Sequence, residues 1–270
     1  MAKAAVASVS ISRAAAEALK MVGGRSVPAH MTFHDWLQRR LHTRGLEQAK
    51  FEAGYFETDF LEGSKQVLMA TSSAVSSQLH GEQDTTETDF MQSRLVDYFS
   101  EHREKLAKDN LSMAWDIKNV SDVRLGSFSI ALGLRRRHLV SNPNVERMFH
   151  FGAAGVSVVY QEDKPRRVTF EDVVESFGLG GTLAVEAVIT CTQETCLYRA
   201  GCEEPEVRKL EENVTHLLTL EADLHGSDGD SQWPYFNTSR GWILSDFNRM
   251  LEGNSVLAQV KSADTQQTGL

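Results

Sequence analysis

A chain of 270 residues with a hydrophobic fraction of 41% is long enough for one sizeable core, and abundant charge with only five prolines is ordinary for a folded domain. No window approaches the ~20 apolar residues of a membrane-spanning helix, so any membrane contact is expected to be peripheral. The net charge of −9 is unevenly placed: residues 1–50 carry eight Lys/Arg against three Asp/Glu, a net of +5, and the remainder carries 20 against 34, a net of −14. Nonspecific nucleic-acid binding neutralises phosphates, so an acidic body argues against it, and no specific DNA binding is expected.

Residues 1–26 are rich in Ala and Ser, and Lys3, Arg13, Lys20 and Arg25 face a single acid, Glu17. That composition predicts a transit or disordered segment over residues 1–30, of the kind that directs mitochondrial import. Val27-Pro28 closes it, because a residue before proline is pushed out of the helical region. Residues 31–50 form a basic approach segment in which Arg39, Arg40 and Arg44 lie among Trp36, Leu37, Leu41 and Leu46. Such a stretch suits an anionic membrane surface, or a helix packed on the domain with its arginines in water.

Phe60, Ser64, Val67, Leu68, Thr71, Val75 and Leu79 follow helical steps, with Thr58 as a candidate N-cap and His80-Gly81 as a stop. A second helix is expected from near Thr86, with Phe90, Met91, Leu95, Phe99 and Leu106 on one face. Beyond Asn110 the period becomes two. It is visible in Phe128–Leu134, in Val156–Tyr160, in Leu183–Cys191 and in Val214–Leu224, and a short last strand is expected at Gly241–Leu244. Helices followed by a run of strands predict an α+β domain over residues 51–253, with an antiparallel sheet packed on N-terminal helices and a polar tail at 254–270.

The stretch from Lys50 to Val67 contains Phe51, Phe60, Glu62, Gly63, Lys65 and Gln66. In it an aromatic and acidic pair leads into Phe-x-Glu-Gly-Ser-Lys-Gln. With the terminal Gly241-Trp242-Ile243-Leu244, it resembles a family that includes the m-AAA protease-interacting protein of the mitochondrial matrix. The family also takes in the C-terminal domain of the import-motor membrane anchor and the membrane-binding subunit of the mitochondrial large ribosome. The resemblance implies a cone-shaped curved antiparallel sheet, like that of nuclear transport factor two. It also implies a non-enzymatic matrix protein, peripheral to the inner membrane. Such a protein would assist membrane-protein biogenesis by binding the m-AAA protease, the mitochondrial ribosome or an imported client. Trp242 is expected to anchor the last strand.

Cones of this kind also house isomerases and dehydratases, so an enzyme acting on a small apolar molecule is the alternative. It would need acid–base groups converging from Asp116, His150, Glu186, His216, Glu221 and Asp246. No spacing forces them together. Glu186 is expected in water and His216 among core residues. Cys191, Cys196 and Cys202 lack zinc-site spacing, the sequons at Asn119, Asn213 and Asn237 follow no secretory signal, and Leu179-Gly180-Gly181 reads as a turn. No catalytic, cofactor or metal residue is therefore assigned. The cluster Arg135, Arg136 and Arg137, in a loop, is a candidate contact for anionic lipid, ribosomal RNA or an acidic partner, or else a solvated loop end.

Overall fold

The computed structural model describes residues 12–25, 53–80, 88–132, 148–151, 156–159, 181–225, 235–236 and 242–251. The basic approach segment with Arg39, Arg40 and Arg44, the motif residue Phe51, the cluster Arg135–Arg137 and the polar tail lie outside the described residues.

Helix α1, Arg13–Val22, forms because alanines fill its first turns and Ser12 caps it, the hydroxyl accepting from the Ala15 N–H at 3.2 Å. Its inward face, Ala15, Ala18, Met21 and Val22, is buried in the main core. Sequence reading had set residues 1–30 apart as a transit or disordered segment and begun the domain at 51; the core instead includes α1. The basic residues Arg13 and Lys20 lie on the outer face of this helix, while Ala15 and Ala18 pack inward with Met21 and Val22, an arrangement that composition alone does not report.

Helix α2, Ala53–His80, buries Phe60, Ser64, Leu68, Thr71, Val75 and Leu79 at steps of three and four. The two buried hydroxyls bond back to the preceding turn, Ser64 to the Phe60 carbonyl and Thr71 to that of Val67, each at 2.7 Å. Thr58, expected as the N-cap, is an exposed residue one turn inside the helix, because nothing in Ala53–Glu57 breaks the helical backbone. Helix α3, Ser93–Lys108, begins later than expected. Phe90 and Met91 are taken by the sheet, where the Leu244 N–H donates to the Phe90 carbonyl at 2.7 Å and the Gln92 N–H to the Leu244 carbonyl at 2.9 Å.

The strands are β1 (Leu111–Leu132), β2 (Met148–Phe151), β3 (Val156–Val159), β4 (Gly181–Arg199), β5 (Val207–His225), β6 (Tyr235–Phe236) and β7 (Ile243–Phe247). The order is β2-β3-β1-β4-β5-β6, and β7 also pairs with β5. All pairings are antiparallel except the short one of β1 with β3. The fold is thus α+β, with helices on one face of an open, predominantly antiparallel sheet, as the sequence order implies.

The strands β1, β4 and β5 are far longer than a typical strand, and bulges correct their phase. Two register shifts in the β1–β4 ladder, after Ile117 and after Val120, let Met113, Trp115, Ile117, Val120, Val123 and Leu125 all pack into the core, and a third follows Leu125. The same shifts break strict alternation, which is why sequence reading recognised β1 only near its end. From Gly181 to Ile189 both faces of β4 are buried.

Candidate functional site

Four polar side chains meet inside the apolar layer between the sheet and α1. Gln193 continues the inward-facing row Leu183, Val185, Ala187, Ile189 and Cys191 by one step. Its Oε1 accepts from Trp115 Nε1–H at 2.8 Å, and its Nε2 donates to the Val22 carbonyl and to Glu211 Oε2, both at 3.1 Å. The Leu217 N–H donates to Asn248 Oδ1 at 3.0 Å, so Asn248 Nδ2 must be the donor to the Gly23 carbonyl and to His216 Nδ1. His216 then carries its proton on Nε2 and donates it to Gln193 Oε1 at 2.8 Å. Every proton in the cluster is assigned by its neighbours.

Burial pushes the His216 imidazole down to about 4, with Glu211 and Asn248 acting in the opposite direction. The ring is therefore neutral at neutral pH, stacked on Phe247 at 5.2 Å and edge-on to Trp115 at 5.5 Å. It is the satisfied core histidine that its place in the alternation implied. The cluster holds the C-terminal end of α1 onto the sheet. Arg25 extends the attachment, its N–H bonding the Thr215 carbonyl at 2.8 Å and its Nε the Asn248 carbonyl at 3.0 Å.

The carboxylates lie elsewhere. Glu186 pairs across strands with Thr219, and Thr219 with Asp246, on the sheet face turned away from the helices. Glu186 is buried and not solvated as expected; Arg249 grips it through two hydrogen bonds of 2.9 and 3.0 Å, since this end of β4 is covered on both sides. Burial raises the Asp246 pKa, against backbone donors that include the Leu251 N–H at 3.0 Å. Glu221 is buried and Asp116 exposed beside Lys118; the His150 side chain lies outside the described residues. Glu186 and Asp246 thus share one face while His216 occupies the other, so they do not converge on one pocket. Among the described residues no cluster of His, Cys, Asp and Glu is placed to hold a metal, and no helix is long and apolar enough to cross a membrane. Burial pushes the Cys191 thiol up to about 11, which leaves it unreactive.

The motif residues divide by face. Phe60 is buried, and its ring meets that of half-buried Trp242 at 4.8 Å and 64°. Glu62 and Lys65 form an exposed ion pair, Gln66 is exposed, and a methyl group added at Gly63 would meet nothing. Beside them, a groove of about 490 Å³ runs between α2 and β1, lined by Met69, Ser72, Ser73, Ser76, Ser77 and Ala114–Ile117. Sequence reading did not single out this groove, Gln193 or Asn248. Gln193 was within reach by extending the β4 alternation one step; the groove joins two segments distant in sequence and left no local signal.

No protein-family model matches the chain, and no curated protein matches it in sequence.

Proposed function

We propose that this chain is a non-enzymatic interaction module of the mitochondrial matrix, peripheral to the inner membrane. It would serve membrane-protein biogenesis by binding the m-AAA protease, the mitochondrial ribosome or an imported client. In this reading the sheet is the curved wall of a cone of the nuclear-transport-factor-two type. The observation that carries the proposal is the contact between Phe60 and Trp242. The two sequence stretches that bear the family resemblance meet as one structural unit, with Glu62, Lys65 and Gln66 on its outer side. The separation of His216 from Glu186 and Asp246 is in keeping with binding rather than acid–base chemistry.

Affinity capture of the full chain from mitochondria tests this. Protease, ribosomal or translocation components should be enriched. Recovery of metabolic enzymes alone would contradict the proposal.

A further inference from the structure

One edge of β5 is bare over part of its length. β4 pairs with one side of the strand throughout; on the other, β6 takes Leu224 and His225 and β7 takes residues 218–221. Next along, Asn248 bonds both backbone groups of Leu217, and the Arg25 N–H bonds the Thr215 carbonyl. Among the described residues nothing pairs with this edge over residues 207–213. Arg208, Lys209, Leu210, Glu212 and Asn213 are exposed there, and the Leu210 side chain stands 61% exposed. The direction of the edge groups follows from the same contacts. Leu217 and Thr215, opposite Val188 and Thr190, turn these bonding groups away from β4. β4 alternates without a break from there to Leu197, because the extra residue of the bulge lies on β5, where Asn213 has φ 56°. Leu210 and Arg208, opposite Glu194 and Cys196, are therefore in the same phase and present their N–H and carbonyl to the open side.

We propose that two copies of this chain associate through this edge, their β5 strands antiparallel about a dyad at Leu210, so that two sheets become one. Charges on a strand edge ordinarily keep other strands away. Here their order attracts one partner. An antiparallel copy centred on Leu210 sets Leu210 against Leu210, Lys209 against Glu211 and Arg208 against Glu212 of the second copy. Each charged contact occurs twice about the dyad, and every one joins opposite charges. The neighbouring registers in the same phase centre on Lys209 or Glu211 and bring like charges together at the dyad. Registers centred between two residues would set an outward-turned backbone against an inward-turned one. The register that suits the charges also makes Leu210 a hydrogen-bonded pair, as its outward N–H and carbonyl require. Within one chain Lys209 already meets Glu211 at 2.6 Å and Arg208 meets Glu194, and the copy gives each cation a second anion. A partner of one charge would meet both signs along this edge. The contact is short beside the roughly 800 Å² per partner of a stable interface, so the dimer forms at concentrations on the order of 10–100 µM. The inference does not depend on the interaction-module reading.

The test is sedimentation of the full chain from about 1 to about 500 µM, with two charge reversals. Arg208→Glu sets Glu against Glu212 on both sides of the dyad, and Glu212→Lys sets Lys against Arg208. Each should weaken self-association about tenfold or more. Mixed in equal amounts, the two variants restore opposite charges at every position and should form a one-to-one heterodimer about as tight as the natural dimer. Both residues are exposed, so each variant, at concentrations where it is monomeric, should melt like the natural chain. The site is read by hydrogen exchange at single amides. Exchange at Leu210 should slow as the natural chain is concentrated, whereas exchange at Lys209, whose N–H faces β4, should not change. A chain that stays monomeric at about 500 µM overturns the proposal. So does a dimer that either variant leaves intact, or a mixture that fails to associate. Self-association without slowing at Leu210 also overturns it, and that measurement decides the matter if a variant melts early.

Discussion

Gln193 donates from its side-chain amide to the carbonyl of Val22 at 3.1 Å, joining the middle of β4 to the last turn of the N-terminal helix. The Gln193 side chain also receives the indole of Trp115 and the imidazole of His216. Gln193→Glu keeps the shape and the acceptor but loses the donor. Its carboxylate would face the Val22 carbonyl and Glu211. The substitution should cost about 2–4 kcal/mol in urea unfolding, the range for a buried polar group left mispaired with charge added. Amide exchange in α1 should rise ahead of exchange in β4. Equal rises in both would mean that Gln193 supports the sheet alone.

The His216 ring gives a pH dependence with a fixed sign. It is neutral in the folded protein down to about pH 4, whereas in the unfolded chain it takes a proton near 6.5. Between those values the unfolded state holds more protons, so stability falls as the pH is lowered from 6.5 toward 4 and this contribution is flat below that. The full span corresponds to on the order of 3 kcal/mol. Urea midpoints measured across this range for the natural chain and for His216→Gln should differ in slope. Parallel slopes would show that the ring titrates normally.

The two tryptophans should respond differently. Trp115 heads the fully buried side chains among the described residues, and its truncation to Ala should cost about 3–5 kcal/mol. Trp242 is half-buried against Phe60, so Trp242→Ala should cost about half as much. A double-mutant cycle with Phe60→Ala should return a coupling of about 0.5–1.5 kcal/mol. Zero coupling would mean that the two rings are merely adjacent.

Much of this fold was legible and some was not, for physical reasons. The face of α2 from Phe60 to Leu79 and the inner faces of β4 from Leu183 to Cys191 and of β5 from Val214 to Leu224 were plain, because each stretch repeats one period on one side of the bulge near Cys191. The outer half of β1 was hidden by its bulges, and the start of α3 by the recruitment of Phe90 and Met91 to β7. Thr58 was misplaced because a capping residue looks the same whether or not the helix runs on before it. Trp242, expected as the buried anchor of the last strand, lies half-buried just before β7, and the deeper tryptophan is Trp115, whose partner Gln193 is far away in sequence. Glu186 was read from alternation alone, which says which face a residue takes and not whether that face is covered.

Helix α1 belongs to the core, and this is testable by truncation. Removing residues 1–25 strips Ala15, Ala18, Met21 and Val22 from the core and leaves the amide of Gln193 facing no carbonyl. That chain should melt substantially lower or without cooperativity. Gly24→Ala is a milder probe, since a Cβ there would lie 2.5 Å from Val214 Cγ1 and 3.1 Å from the Thr215 nitrogen. It should cost about 1–3 kcal/mol. Identical melting of the full chain and the chain lacking residues 1–25 would show α1 to be dispensable.

Proximity labelling in intact cells, with the labelling enzyme fused to the C-terminus of the full chain, tests the proposed function most directly because it reports compartment and neighbours together. The account predicts labelled matrix proteins enriched in inner-membrane protease, ribosomal or translocation components. A labelled set drawn from another compartment, or from the matrix without any of those components, would contradict it.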